Sequence, residues 1–103
     1  MKKKLVAGTI VGLLALGGAP ALAVSASSPD GGSYAYNVGQ TFYVRDSKAD
    51  SHGAYGYWNL LNNRLNNKSG YNTTVSKNTG WIIGFVKACT DLQLAPDTCS
   101  DWK

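Results

Sequence analysis

The two cysteines, Cys89 and Cys99, are the feature that most limits how this chain can fold. They are the only cysteines in the sequence, so an intramolecular disulfide has a single possible connectivity. The nine residues between them do not match the C-x-x-C spacing of a redox-active pair. Closing this loop is expected to stabilise the folded state by about 2.5–3 kcal/mol. We therefore predict a structural disulfide in the C-terminal part of a small domain.

The N-terminus carries the pattern of an export signal. Lys2–Lys4 form a positive segment, Leu5–Leu16 is apolar, and Ala21 and Ala23 give the small-x-small motif of a cleavage site. A membrane anchor is the alternative, but Ala and Gly dilute the apolar stretch, which ends in that motif. We predict a signal peptide over residues 1–23, with a second cleavage position after Ala26. The predicted location is extracellular, where a disulfide can form and persist.

Residues 24–103 are nearly neutral. The whole chain has 10 basic and 6 acidic residues, and three basic ones are Lys2–Lys4, which leaves 7 against 6, or +1. This balance gives no reason to expect a nucleic acid or, after signal cleavage, a membrane as partner. The remaining ~80 residues make one domain at most, and so short a chain buries only about 60% of its unfolded surface.

Aromatic and β-branched residues at alternate positions predict strands with one buried face. Such strands are predicted over residues 34–38, 41–46, 54–61 and 73–76, with turns at Gly39-Gln40, Asn62-Asn63 and Ser69-Gly70. Residues 24–33 are small, polar and interrupted by Pro and Gly, which predicts a flexible N-terminal arm. Residues 34–103 are predicted to form a single β-domain.

The segment Trp81–Leu94 holds the densest apolar run outside the N-terminus. Its apolar positions fit a helical period, but Gly84 and four β-branched residues favour a long strand or a hairpin. The predicted fold class is therefore all-β: a small antiparallel β-sandwich or partly open barrel with one disulfide.

The residues that often carry catalysis are sparse and scattered. His52 is the only histidine, in a polar loop after Asp50, and no second histidine or free thiol completes a metal or nucleophilic site. A domain of ~80 residues also leaves little room for a cleft that separates the pKa values of two carboxyl groups. We predict no enzymatic activity, no cofactor and no metal, and a role for Asp97 and Asp101 in turns beside the disulfide.

The aromatic residues give the strongest indication of function. The 3 Trp, 6 Tyr and 2 Phe all follow residue 33, and strand alternation cannot bury all of them. Trp58, Trp81 and Phe85 are predicted in the core. Tyr34 and Tyr36 share one strand face and are predicted to bind a partner, since exposed Tyr gives large contact area at low entropic cost.

Three stretches resemble small two-cysteine secreted proteins of Streptomyces and other actinomycetes: Val44-Arg45-Asp46, Asn67-Lys68-Ser69-Gly70, and Lys87-Ala88-Cys89 followed by Pro96-Asp97-Thr98-Cys99-Ser100-Asp101-Trp102. The resemblance covers about residues 41–102. Some similar proteins are the small adaptor subunits of umbrella toxin particles, which link a lectin-like, protease-fold subunit to a large repeat-containing toxin. The resemblance implies a β-rich fold, no catalysis, and an arm over residues 24–38 that inserts into a partner's cleft.

The sequence thus predicts a secreted, non-enzymatic protein–protein interaction module. The resemblance narrows this to an adaptor in an interbacterial toxin particle, with a lectin-like subunit and a large repeat-containing toxin as partners. One alternative is a protease inhibitor that presents the Cys89–Cys99 loop, with Leu94-Ala95-Pro96 near its tip. A directly antimicrobial protein and a glycan-binding protein are the others.

Overall fold

A computed structural model describes residues 23–103, which form eight strands and no helix. The strands are β1 (Ser25–Ser27), β2 (Ser33–Val38), β3 (Thr41–Asp46), β4 (Gly53–Trp58), β5 (Leu60–Asn67), β6 (Thr74–Asn78), β7 (Val86–Asp91) and β8 (Thr98–Cys99). The predicted signal peptide lies outside the described residues except for Ala23. Within residues 23–103 there is no helix long and apolar enough to cross a bilayer.

The strands form two antiparallel four-stranded sheets that pack face to face. The first sheet has the order β1-β2-β3-β6 and the second has the order β5-β4-β7-β8. The chain builds β1 to β3 in the first sheet and crosses to the second for β4 and β5. It then returns for β6 and crosses again for β7 and β8. The predicted fold class is confirmed, in its two-sheet form.

The core lies between the sheets and is filled by alternate side chains of the central strands. Phe42 and Val44 point inward from β3, and Trp58 and Val86 meet them from the second sheet. Gly56 leaves the space that these rings need, because a Cβ there would lie only 3.0 Å from Phe42 Cζ. The two sheets can therefore approach closely only with glycine at this position.

The predicted disulfide is confirmed. Cys89 on β7 pairs directly with Cys99 on the edge strand β8, with their Cα atoms 4.1 Å apart. Ser100 extends this pairing, since its amide donates to the Ala88 carbonyl at 2.8 Å and its Oγ accepts from the Ala88 amide at 3.0 Å. The bridge thus ties a two-residue edge strand, too short to be stable alone, to a central strand.

Residues 24–33 depart from the predicted flexible arm, because they are part of the sandwich. Ala26 is buried and pairs with Ala35 of β2. The Ser28 hydroxyl is buried 3.0 Å from Thr90 Oγ1, and Asp30 Oδ1 accepts hydrogen bonds from both hydroxyls. Burial alone would raise the pKa of Asp30, but these hydrogen bonds and one from the Gly32 amide outweigh it and lower the pKa.

Two other local predictions are wrong. The predicted turn at Asn62-Asn63 lies inside β5, and the chain reverses instead at Asn59, whose φ is 61°. A register shift between Tyr57 and Trp58 accompanies this earlier turn. In the segment 81–94, only Val86–Asp91 is a strand, and residues 81–85 belong to the connection that crosses between the sheets.

Candidate interaction surface

Three connections meet at one end of the sandwich: the β2–β3 turn, the β4–β5 turn and the β6–β7 connection. The Thr79 amide donates to the Gln40 carbonyl at 2.9 Å and joins the first turn to the β6–β7 connection. The Asn59 amide donates to the Phe85 carbonyl at 2.9 Å and joins the second turn to the same connection. This end is therefore a single linked structure of three loops.

Five large apolar side chains project from the start of β5 and from the β6–β7 connection, and each is between 58% and 73% exposed. We call this set the apolar end: Leu60, Leu61, Trp81, Ile82 and Phe85. Ile83, in the middle of the same connection, points the other way and is only 1% exposed. Contiguous exposed apolar surface of this kind is typical of sites that contact another molecule.

Asn59 fixes the direction of the β6–β7 connection. Its side-chain Nδ2 donates to the Ile82 carbonyl at 2.9 Å, and its Oδ1 accepts from the Gly84 amide at 2.8 Å. Asparagine is also one of the few residues that adopts the positive φ of this turn at low cost. Because the Ile82 and Gly84 backbones are both tied to Asn59, the Ile83 side chain is held inward and the Ile82 side chain is held outward.

A second set of hydrogen bonds places Trp81. Thr79 Oγ1 accepts from the Trp81 amide at 3.1 Å and lies 2.9 Å from the Gln40 carbonyl, to which it donates. Gly80 between them has a φ of 76°, which suits glycine. The indole therefore projects from a turn with its own side-chain support. Local hydrogen bonds thus hold Trp81 in its outward position.

A groove of about 520 Å³ opens on the apolar end. Its walls combine apolar and polar side chains: Trp58, Asn59, Leu60, Asn63, Thr79, Trp81 and Ile82. The Asn63 Nδ2 donates to the Trp58 carbonyl at 3.1 Å, so this polar wall is internally bonded. The volume of the groove is large enough to hold a large side chain from another molecule.

The prediction of core positions is correct for Trp58 and wrong for Trp81 and Phe85. Trp58 is buried against Phe42, whereas Trp81 is 73% exposed and Phe85 58% exposed. The sequence signals that pointed away from a continuous strand were Thr79-Gly80 before the run and Gly84 within it.

The predicted partner-binding residues, Tyr34 and Tyr36, lie on the outer face of the first sheet. Tyr36 stacks on Tyr43 with ring centroids 4.9 Å apart, and Tyr34 lies 5.2 Å from Tyr36 on its other side. Burial, followed by the neighbouring Tyr43 and Tyr34, raises the pKa of Tyr36. We call these three residues the tyrosine row. Because the rings cover one another's faces, the row presents ring edges and hydroxyl groups.

Strand β2, which carries Tyr34 and Tyr36, is hydrogen-bonded to β1 on one side and to β3 on the other. It has no free edge, so residues 24–38 cannot insert into a cleft as an extended arm while this sheet is intact. The tyrosine row can contact a partner only through its side chains. The row points along β2 toward the exposed Val38, the last residue of this strand, next to the turn at the apolar end.

The outer face of the second sheet holds a polar cluster whose residues have structural roles. The Arg64 guanidinium lies 3.6 Å from the centroid of the Tyr55 ring, and the Tyr55 hydroxyl donates to Asp97. Burial and then the bond to Asp97 raise the pKa of Tyr55 well above its ordinary value. Asp97 also accepts from the Leu92 amide at 3.0 Å and so holds the disulfide loop against the sheet.

The tip of the disulfide loop is a turn. The Ala95 amide donates to the Leu92 carbonyl at 3.4 Å, and Leu94 is fully exposed at the tip. A protease inhibitor presents an extended segment to the cleft of its target, and this turn is not extended. The tip of the loop therefore does not present the extended segment that the inhibitor alternative needs.

The opposite end of the sandwich, which we call the far end, is polar. His52 Nδ1 lies 2.7 Å from Gln93 Oε1, and both residues border a groove of about 460 Å³. Asp46 is buried beside this groove, and burial raises its pKa. Within residues 23–103, no three His, Cys, Asp or Glu side chains are grouped so that they could hold a metal ion.

No family model matches this sequence, and no curated protein or solved structure matches it.

Proposed function

We propose that this chain is a secreted, non-enzymatic protein–protein interaction module. The observation that carries the proposal is the apolar end, where five large apolar side chains are held in solvent by hydrogen bonds of their own loops. Trp81 is the expected centre of the contact, because tryptophan is enriched among the residues that dominate binding energy. The Cys89–Cys99 disulfide is compatible with the extracellular location that this function requires.

The energy available at this surface fits a specific complex. Fully burying a large apolar side chain contributes about 1.5–3 kcal/mol relative to leaving it exposed. Only part of that sum becomes affinity, because association also loses translational and side-chain entropy. Five such side chains on one linked structure are enough to support binding in the micromolar range or tighter, where about 8 kcal/mol is needed.

The tyrosine row supports the more specific proposal of an adaptor, a module that contacts two partners. It lies on a sheet face, whereas the apolar end lies across the loops, so two molecules can approach from different directions. Tyr34 and Tyr36 are proposed to contact one partner through ring edges and hydroxyls. Following the resemblance to toxin-particle adaptors, we propose a lectin-like subunit and a large repeat-containing toxin as the pair.

The test is affinity purification of the tagged protein from the secretome of the organism that encodes it. Wild type is compared with two double variants: Trp81→Ser with Ile82→Ser at the apolar end, and Tyr34→Ala with Tyr36→Ala in the tyrosine row. We expect each double variant to lose one recovered protein and to retain the other. If one double variant loses both recovered proteins and the other loses neither, the protein has a single binding surface and the two-surface adaptor is refuted.

Leu94→Ser is the matched control, because it replaces an even more exposed apolar side chain on the disulfide loop, away from the apolar end. It should recover the same proteins as wild type. Recovery of identical proteins by wild type and by both double variants would refute the proposed function. Thermal unfolding of every variant is measured in parallel, so that loss of a partner is attributed to the surface only where the domain is folded.

A further inference from the structure

We propose that the apolar end binds a partner protein whose contact segment carries a large apolar side chain flanked by carboxylates. This inference rests on the proposed function and specifies the chemistry of one partner. Two features of the same surface point to it: the groove between Trp81 and Leu60, and the distribution of charge along the molecule.

The groove supplies the apolar part of the recognition. Four of its lining residues are apolar, so an inserted side chain meets the apolar atoms of Trp58, Leu60, Trp81 and Ile82. At about 520 Å³ the groove takes one large side chain together with part of its backbone. The bordering polar residues Asn59, Asn63 and Thr79 lie where they can hydrogen-bond the backbone of an inserted segment.

Acidic residues are distributed unevenly between the two ends of the sandwich. The sequence has no Asp or Glu between Gly31 and Arg45 or between Ser51 and Thr90, the two stretches that build the apolar end. Five of the six acidic residues lie toward the far end, in its loops, at strand ends, or bonded to Tyr55 and Leu92: Asp30, Asp46, Asp50, Asp91 and Asp97.

The apolar end, by contrast, is bordered by basic residues. Lys77 is exposed and lies two residues before Thr79, a wall of the groove. Lys87 is on β7, next to the strand end that follows Phe85, and its Nζ lies 5.7 Å from the Trp102 ring centroid. Asp101 lies across from Lys87, because the Ser100 amide pairs with the Ala88 carbonyl, so Lys77 is the exposed basic residue beside the groove itself. A contact segment with carboxylates beside its apolar side chain is the complementary one.

The same features disfavour the two other occupants of such a surface. A second copy of this chain would meet Lys77 with the same groove border, and the stretches that build it, residues 31–45 and 51–90, carry no carboxylate. A lipid bilayer would strip water from Asn59, Asn63 and Thr79 and give hydrocarbon in return, which is unfavourable for amide and hydroxyl groups.

The experiment selects peptides from a phage-displayed library of random dodecapeptides on the immobilised wild-type protein, with the Trp81→Ser, Ile82→Ser double variant used for counter-selection. We expect enriched sequences that place a Trp, Phe, Leu or Ile within three residues of one or more Asp or Glu. Synthetic copies should lose about tenfold or more in affinity for the double variant. Their affinity for wild type should fall as NaCl is raised, since the flanking contacts are ionic.

Lys77→Glu tests the charge, with Lys68→Glu at the far end as its matched control. We expect about a threefold to tenfold loss of peptide affinity for Lys77→Glu and no change for Lys68→Glu. Enriched peptides that are basic or lack an apolar residue, or no enrichment at all, would overturn the inference. So would dimerisation of wild type in sedimentation that the double variant abolishes, or binding to vesicles of phosphatidylcholine with phosphatidylglycerol.

These outcomes are separable from failure of the proposed function. If a secreted partner is lost on Trp81→Ser with Ile82→Ser but is unaffected by Lys77→Glu, the interaction module stands and the acidic contact is refuted. If no secreted protein depends on the apolar end, the proposed function itself fails.

Discussion

The course of residues 82–85 at the apolar end is predicted to depend on the side chain of Asn59. Its side chain makes one hydrogen bond of 2.9 Å to the Ile82 carbonyl and one of 2.8 Å from the Gly84 amide, with a weaker third of 3.4 Å from the Phe85 amide. Hydrogen bonds of this kind contribute about 0.5–1.5 kcal/mol each, less where water competes. Asn59→Gly keeps the positive φ and removes only these bonds, so we expect the free energy of unfolding to fall by about 1–2 kcal/mol.

Two further substitutions at Asn59 separate the causes. Asn59→Ala loses the same hydrogen bonds and also forces an alanine into the left-handed region, which adds about 1–2 kcal/mol. Asn59→Asp keeps the acceptor for the Gly84 amide but sets a carboxylate oxygen against the Ile82 carbonyl, so it should also be less stable than wild type. Asn59→Gly and Asn59→Asp are both expected to be less stable than wild type, and Asn59→Ala less stable than Asn59→Gly.

Urea unfolding followed by tryptophan fluorescence measures these differences, with an unchanged m-value as the check that the folded domain is equally compact. For a domain of ~80 residues, 1 kcal/mol corresponds to about 4–8 °C in the unfolding temperature. Amide hydrogen exchange adds a local readout, since the Gly84 amide should exchange faster in Asn59→Gly than in wild type. Equal stability of Asn59→Gly and wild type would refute the role of the side chain. Equal stability of Asn59→Ala and Asn59→Gly would refute the strained turn.

Three further predictions concern the scaffold. Reducing the Cys89–Cys99 bridge should lower the free energy of unfolding by about 2.5–3 kcal/mol, and unchanged thermal unfolding in reductant would contradict this. Asn67→Ala should lower it by about 3 kcal/mol, because this fully buried side chain makes four hydrogen bonds that join β5 to β3 and the β5–β6 connection; equal urea midpoints for variant and wild type would rule that out. The lowered pKa of Asp30 stabilises the fold above the ordinary value of 3.8, and this contribution is lost as pH falls through the folded-state pKa. Asp30→Asn should therefore be less stable than wild type at pH 7, with a difference that shrinks below about pH 4 in thermal unfolding scans; a gap independent of pH would contradict the assignment.

The parts of the fold that follow from short-range pattern were predictable. Alternating aromatic and β-branched residues gave the β2–β3 hairpin, and Gly39, with a φ of 59°, makes its turn. The disulfide followed from counting, since two cysteines leave one pairing. These inferences needed only neighbouring residues or a complete list of one residue type.

The first strand was missed because its order comes from residues far away in the sequence. Ser25–Ser27 has little intrinsic strand preference and follows the composition of a linker. What orders it is pairing with β2 and the buried contact of Ser28 with Thr90, 62 positions along the chain. No local pattern contains that contact, so composition alone predicted a flexible segment.

The apolar end was missed for a related reason. Hydrophobicity predicted burial for Trp81 and Phe85, and it is a reliable guide when nothing else fixes the direction of a loop. Here Asn59, 23 residues before Ile82 and 25 before Gly84, determines which residue of the connection enters the core. The Ile83 side chain packs into the core, and those of Ile82 and Phe85 stay in solvent.

The hydrogen bonds that hold the apolar end do not themselves require apolar side chains. They use the backbones of Ile82, Gly84 and Phe85, and serine at positions 81 and 82 would leave them in place. Exposed substitutions of this kind usually change stability by no more than about 0.5 kcal/mol. Meanwhile a domain of ~80 residues has little apolar burial to spare. Folding therefore does not explain why the exposed side chains of Trp81 and Ile82 are apolar, whereas contact with another molecule does explain it. If Trp81→Ser with Ile82→Ser instead lowered the unfolding temperature markedly, those side chains would be stabilising the domain itself, and the case for a binding surface would lose its main support.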